Sequence, residues 1–373
     1  MTRWTAQRDL TPSYMLMMGN LHDGVSDHDF MHEEMRLAIA AEGMGYGAVW
    51  CVEHHFDGPY SMCPDNFLYL TYLAARTTRI KIGIGACILP WNNPLRVSEK
   101  INMLDIMSDG RLQVGFGRGL SRREYAGFGI DMGQARERWN ESYQMISRAQ
   151  ETGVISGDGP HYPQPSTPIA PFSGIPLAGR VTEIAMSEES QLGAACLGIK
   201  MATFTQFPMP QIAPALARYR EVYESTHNEP APPPMVVDMI HVHEDPEEAE
   251  RSHRESLGAY FMSLMRHYEL DGDHFAGIKS YESYDQMSKL FKEAGLENAA
   301  EAYIQANTYG TPDQVLEKLR ANLEVAGDYD LSLAFSLGGR PYPEVEKSMR
   351  LFAEKCLPEW VKMRAQLPQP SRV

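Results

Sequence analysis

Eight short apolar runs alternate along the chain with amphipathic helical patterns, and that alternation constrains the fold more than any other feature. The apolar runs fall at residues 14–18, 48–52, 79–89, 112–116, 183–186, 199–203, 235–242 and 331–336 and read as strands. Helical spacing falls at 27–42, 66–76, 94–107, 134–152, 188–196, 212–226, 246–267 and 312–326. Strands that alternate with helices build parallel sheets, because each parallel pair needs a crossover. Eight such units match an α/β fold of the (β/α)8 TIM-barrel type, whose chains usually run about 250 residues and lengthen with insertions. A doubly wound sheet fits less well, since no Gly-x-Gly-x-x-Gly turn follows the first strand. The expectation is one barrel domain over 1–373 with two excursions. One, 157–180, is rich in Pro, Gly and Ser; the other, 270–310, mixes helical and loop-like sequence and is placed to fold over the barrel mouth as a lid.

Composition narrows the class. Lys and Arg number 34 against 49 Asp and Glu, a formal charge of −15, so nucleic acid or an anionic membrane surface would be repelled. No uncharged run approaches the ~18 apolar residues of a membrane span. The opening Met1-Thr-Arg-Trp-Thr-Ala-Gln-Arg-Asp lacks the apolar core of a secretory signal. Cys51, Cys63, Cys87, Cys196 and Cys356 are odd in number and never in a Cys-x-x-Cys pair, so a reduced, cytoplasmic protein without a disulfide framework is expected. His241-Val-His243 shares one strand face, but no third His or Cys lies nearby and no metal is expected.

Residues that carry chemistry gather at the ends of the apolar runs. Ala48-Val-Trp-Cys-Val passes directly into Glu53-His54-His55-Phe56. An unbroken run suits a strand buried on both faces, and its C-terminal end is where barrel active sites form. An imidazole beside a carboxylate there suits proton transfer; a histidine that merely satisfies the strand end is the plainer alternative. In Leu112-Gln-Val-Gly-Phe-Gly117, apolar residues alternate with nearly bare positions that let a flat ring or a phosphate approach the backbone. Arg118 ends that strand, and Arg122, Arg123, Arg136 and Arg138 follow, a local anion trap in an acidic chain. Arg122, Arg123 and Arg138 read better as a solvated helix face pairing with Glu124 and Glu137; Arg118 does not. Ser187 and Ser190 lie where a strand runs into a helix, whose free N–H groups can hold a phosphate. Ordinary N-capping by Ser187 is the alternative, and Glu188 and Glu189 favour it by competing for the same positive helix end. The small Gly85–Ala86 pair permits a bulge against which a planar ligand could lie. Trp91, just beyond, reads as a core or interface aromatic.

In order, Trp50-Cys-Val-Glu-His-His-Phe56, Leu104-Asp-Ile-Met-Ser-Asp-Gly-Arg111, Gly117-Arg-Gly-Leu120 with Phe128-Gly-Ile-Asp-Met132, Tyr309-Gly-Thr-Pro312 and Ser348-Met-Arg-Leu-Phe352 resemble the bacterial luciferase-like flavin monooxygenases. The similarity runs over nearly the whole chain and is nearest the luciferase catalytic (alpha) subunit. It implies a barrel that binds FMN at its C-terminal mouth, with Arg118, Arg136, Ser187 and Ser190 around the phosphate. Gly85 and Ala86 would form a non-prolyl cis peptide behind the isoalloxazine. Glu53 would lie near the flavin and orient it or His54, His54 would be the catalytic histidine, and 270–310 would be a mobile lid.

The activity so implied is that of a two-component monooxygenase. A separate NAD(P)H:flavin reductase supplies reduced FMN, dioxygen adds at the flavin C4a carbon, and the hydroperoxide passes one oxygen to a small apolar organic substrate. The 22 methionines suit an adaptable apolar pocket. Two other readings keep the barrel: hydride transfer to a deazaflavin, and a non-catalytic flavin-binding or partner subunit. Glu-His-His-Phe and the long 270–310 segment argue against the second. A homodimer, or a heterodimer with a homologous chain, is expected from the resemblance alone. The chain departs from the luciferase pattern at Gly117, where a reactive cysteine stands, at Met186, where a glutamate stands, and at Ser121, where an aromatic stands. These changes reshape the pocket, so long-chain aldehyde as substrate and light emission are not carried over.

Overall fold

The computed structural model describes residues 9–174 and 176–367; the sequence readings of residues 1–8 and of the polar end at 368–373 lie outside these. Eight parallel strands carry the fold: β1 (Ser13–Leu16), β2 (Ala48–Cys51), β3 (Lys81–Ile88), β4 (Leu112–Gly117), β5 (Val181–Ile184), β6 (Lys200–Phe204), β7 (Met235–Met239) and β8 (Asp330–Ala334). Each pairs with the next in sequence and β8 returns to β1, which closes the (β/α)8 barrel that the alternation predicts. The strands are short and almost wholly buried, because helices cover the outer face while side chains fill the interior.

Helix starts follow local chemistry. Ser26 accepts from the amide of Asp29 and opens Asp27–Met44; Asn93 caps Pro94–Met107, whose first residue is proline. Thr311 and Gln314 form a reciprocal capping box at the head of Pro312–Ala326. The helices Tyr342–Leu351 and Leu357–Gln366 follow β8, where no helix was read. A π-helical turn, Phe352–Cys356, joins them, and the buried residues Val345, Met349, Phe352, Cys356 and Trp360 keep a helical spacing across all three.

Two segments differ from expectation, while a third, 270–310, mixes helices and loops as expected. The 235–242 run is not one strand: β7 stops at Met239, and His241–Val242 pairs outside the barrel with Tyr309–Gly310. The amide of Ile240 reaches the last residue of β8, Ala334, and the next amide turns away to Thr308. The 157–180 excursion begins as an antiparallel hairpin of Val154–Gly157 with Gln164–Pro168. The 270–310 segment holds two helices, Glu282–Ala294 and Leu296–Ala306, and Phe275, Tyr281 and Tyr284 are buried against the rest of the chain.

The β3–β4 pair shapes the mouth. Its register shifts between Ile84 and Cys87, and the Gly85–Ala86 peptide inside the shift is cis. A Cβ on Gly115 would lie 2.1 Å from the Ile84 carbonyl oxygen, and one on Gly83 would lie 2.3 Å from the Trp50 ring. These bare positions therefore serve the neighbouring strand and the core, a use of glycine that the alternation alone did not separate from ligand approach.

Candidate active site

At the C-terminal ends of the strands lies a cavity of ≈ 960 Å³, its share of open solvent included. Glu53 and His54 line it after β2, Gly85 and Ala86 within β3, and Gly117 and Arg118 where β4 ends. Ser190 also lines it, and Tyr260, Tyr268, Tyr284 and Tyr303 come from the 246–268 helix and the 270–310 segment. Five of the expected site residues, Glu53, His54, Gly85, Ala86 and Arg118, thus share one cavity with Ser190, while Arg136 and Ser187 stand just behind it.

On one wall the ring of His54 faces a carboxylate that sequence reading placed elsewhere. His54 Nδ1 lies 3.1 Å from Glu124 Oε1, and the same oxygen accepts the His55 backbone N–H at 2.7 Å. His267 Nε2 approaches it to 3.5 Å, and His267 Nδ1 lies 3.5 Å from Asp57 Oδ2. Glu124 is not the solvent-face partner of arginines that the sequence predicts: it is 1 % exposed, and Arg122 and Arg123 pair with Glu269 and Asp57. Burial opposes ionisation of Glu124, yet the facing His54 and His267 rings hold its carboxyl well below the usual range. Burial likewise lowers His267, against the pull of Glu124, and favours its neutral ring. The three groups bring ligand atoms within 4.8 Å of one another, a convergence able to hold a metal ion that the sequence spacing did not reveal. Nothing in sequence order links Glu124 to His54, because Ser121-x-x-Glu124 reads locally as the first turn of a helix.

Two roles are expected for Glu53, orienting His54 or orienting the flavin, and its hydrogen bonds do not include His54. Its carboxylate accepts from Trp91 Nε1 at 2.7 Å, Asn92 Nδ2 at 2.9 Å and the Ile88 amide at 3.2 Å, and it lies 3.3 Å from His55 Nε2. It anchors the ends of β2 and β3 together and orients His55, while Glu124 orients His54. Trp91 stacks on Phe128 with ring centroids 5.4 Å apart and packs in that wall, as read.

A second part of the site concentrates positive charge. Arg118 is 6 % exposed at the end of β4, and its guanidinium lies 4.2 Å from the centroid of the Tyr281 ring. Arg136, in the first turn of helix Ala135–Thr152, donates to Ser190 Oγ at 2.6 Å. Ser187 caps helix Glu188–Leu197 through the Ser190 amide, and its hydroxyl donates to Ser190 Oγ at 3.2 Å. Capping and a hydroxyl cluster at the cavity edge therefore coexist. Two carboxylates attend the arginines: Glu189 lies 3.4 Å from Arg118 Nη1 and 3.6 Å from Arg136 Nε, and Glu183 lies 3.5 Å from Arg136 Nη1. Burial raises Glu183 to about 7 against the pull of Arg136, and both its oxygens lack a hydrogen-bond partner.

A strand-end cavity with an arginine–serine wall and an imidazole–carboxylate wall agrees with the comparison to known sequences. The family model for luciferase-like monooxygenases matches residues 13–329. This chain belongs to that family. Among characterised relatives, the alkanal monooxygenase alpha chain of Photobacterium leiognathi is 25% identical to this chain over 342 residues, covering 90% of this chain and 95% of that one. The crystal structure of monooxygenase RslO1 from Streptomyces bottropensis superposes with a TM-score of 0.74 at 25% identity, covering 94% of this chain and 99% of that one. The oxygenating constituent of 3,6-diketocamphane monooxygenase from Pseudomonas putida, a type II Baeyer–Villiger enzyme solved with FMN, gives a TM-score of 0.73 at 17% identity, covering 94% and 98%. The family is flavin-dependent, and no helix among the described residues is long and apolar enough to cross a membrane.

Proposed function

We propose that this protein is the oxygenase of a two-component system in the cytoplasm, taking reduced FMN from a separate NAD(P)H:flavin reductase and using dioxygen to oxygenate a small apolar organic substrate. The observation that carries the reading is that one cavity brings together cations and hydroxyls for a phosphate and His54 backed by Glu124. The residues fit FMN. Arg118, Arg136, Ser187 and Ser190 are the donor set a phosphate monoester needs, and Arg136 Nε is buried without a hydrogen-bond partner. Gly85, Ala86 and Gly117 offer the isoalloxazine a wall without bulky side chains.

Bound reduced FMN supplies the electrons and the ring carbon at which dioxygen is activated. The chain's own residues bind, shield and manage a proton. His54 Nδ1 is held by Glu124, which leaves Nε2 as the nitrogen that takes or gives a proton inside the cavity. Glu124, its carboxylate kept ionised by the rings that face it, orients the His54 ring. The 270–310 segment contributes Tyr284 and Tyr303 to the cavity lining, so its closure excludes water from the reacting centre. Met17, Met186 and Met239 line the space left for an apolar substrate. The chain acts as a dimer, homologous or self-paired.

The test is to titrate the protein with FMN and then mix the loaded, reduced form with dioxygen in a stopped-flow instrument. The flavin absorbance is expected to return far more slowly than for free reduced FMN, and to return faster when an oxygenated substrate forms. Binding of a deazaflavin but not FMN moves the protein to hydride transfer. FMN binding with free-solution oxidation kinetics makes it a non-catalytic subunit.

A further inference from the structure

The helix that carries Ser187 and Ser190 also carries a carboxylate in the place where their ligand's charge belongs. Glu189 sits between the two arginines, 3.4 Å from Arg118 Nη1 and 3.6 Å from Arg136 Nε. Its Oε1 also accepts the hydroxyl of Ser280 at 2.9 Å, from the segment that covers the cavity. Tyr281, the next residue, lays its ring on the Arg118 guanidinium and donates to the Gly119 carbonyl at 2.9 Å. Ser280 itself has φ +69°, a left-handed conformation for a residue with a side chain. One carboxylate is thus hydrogen-bonded to Arg118 and to the turn that opens the lid, and lies within ion-pair distance of Arg136.

We propose that Glu189 is an internal counter-anion: in the unliganded protein it occupies the place of the cofactor's phosphate between Arg118 and Arg136, and through Ser280 it ties the lid to that occupancy. This rests on the flavin reading above and adds a consequence to it. A phosphate can settle on the arginines only by displacing a carboxylate, so binding is weaker than the bare cradle allows. A flavin that arrives from a reductase and leaves after each turnover benefits from such a site, because two guanidiniums and two hydroxyls without a competitor would hold it too long. The same displacement removes the Ser280 contact, so arrival of the phosphate is felt by the lid.

The experiment compares FMN with riboflavin, which has the ring and ribityl chain but no phosphate. Dissociation constants for both are measured by flavin fluorescence on the wild-type chain and on Glu189→Gln. FMN is expected to bind roughly fivefold more tightly to the variant, the upper end for a half-exposed ion pair, with riboflavin unchanged. Glu189→Ala, which also removes the acceptor for Ser280, is expected to speed amide exchange over 279–284 in the absence of flavin. Equal or weaker FMN binding by Glu189→Gln, with riboflavin still bound, overturns the counter-anion and leaves the flavin reading standing. Failure of the wild-type chain to bind either flavin overturns both.

Discussion

Burial raises the Glu34 carboxyl to about 7, and this titration belongs to the fold rather than the site. Glu34 is 1 % exposed on helix Asp27–Met44; one oxygen accepts from Ser336 Oγ and the other lacks a partner. Below the ordinary value of 4.5 the group is protonated in both folded and unfolded chains. As pH rises from there towards 7, the unfolded chain ionises while the folded one stays neutral, so stability falls across that window and levels off above it. Glu34→Gln removes the slope: relative to wild type, the variant gains about 1–3 kcal/mol between pH 5 and pH 8 in denaturant unfolding. A difference independent of pH would show that Glu34 ionises freely in the fold. At the site, His54→Ala is expected to lower turnover about 10²–10⁴-fold while FMN affinity, set by Arg118, Arg136, Ser187 and Ser190, is unchanged. Loss of FMN binding instead would make His54 a cofactor contact and not a proton carrier. Residues of this kind were legible where an apolar run meets an ionisable group, as at His54 and Arg118. Glu124 and His267 were not, because they lie about 70 and 210 residues from His54 and only the barrel's closure brings their elements together.

At the scale of elements, the β3–β4 pair shows two glycines of the same motif under different constraint. A Cβ on Gly115 would meet backbone, the Ile84 carbonyl at 2.1 Å, and neither strand can yield without opening the barrel. A Cβ on Gly117 would meet Ile88 Cδ1 at 2.7 Å, the free end of a side chain that can rotate, with Ala86 Cβ at 3.3 Å. Gly115→Ala is therefore expected to cost about 1–3 kcal/mol or more, as overpacking does, and Gly117→Ala to cost distinctly less. Denaturant midpoints of the two variants decide it; equal losses would mean that the strands shift together and that Gly115 has no private role. The strands themselves were readable to within two residues, apart from 235–242, because burial on both faces demands apolar runs. The Val154–Gly157 and Gln164–Pro168 hairpin was hidden, since Pro165 and Pro168 read as loop and are tolerated only at such an edge. The break at Ile240 was hidden too: His241 and Val242 continue the apolar run, and only the arrival of 309–310 draws them out of the barrel.

For the molecule as a whole, the outer helices leave one face that an acidic, water-facing surface does not explain. Helices Asn66–Arg76 and Pro94–Met107 pack side by side. The first exposes Leu68 and Tyr72, at 74 % and 49 %, and the second exposes Met103, Ile106 and Met107, at 50, 46 and 52 %. Each set is spaced three or four residues apart, so each forms a stripe on one side of its helix, and single scattered apolar residues do not do this. Two helices with adjacent stripes are suited to meet the same pair on a second copy about a two-fold axis, where every contact is made twice. A stable dimer needs roughly 1,200–2,000 Å² of buried surface, more than five side chains supply, so the flanking turns of both helices must join the contact. Light scattering on the purified chain is expected to give the mass of two 42.0 kDa copies. Met107→Glu with Leu68→Glu would place like charges against each other across the axis and bring the mass down to one copy, without touching the cavity. A wild-type chain that is monomeric at micromolar concentration, or a variant that keeps its partner, would remove this face from the interface and leave its apolar stripes to a homologous chain.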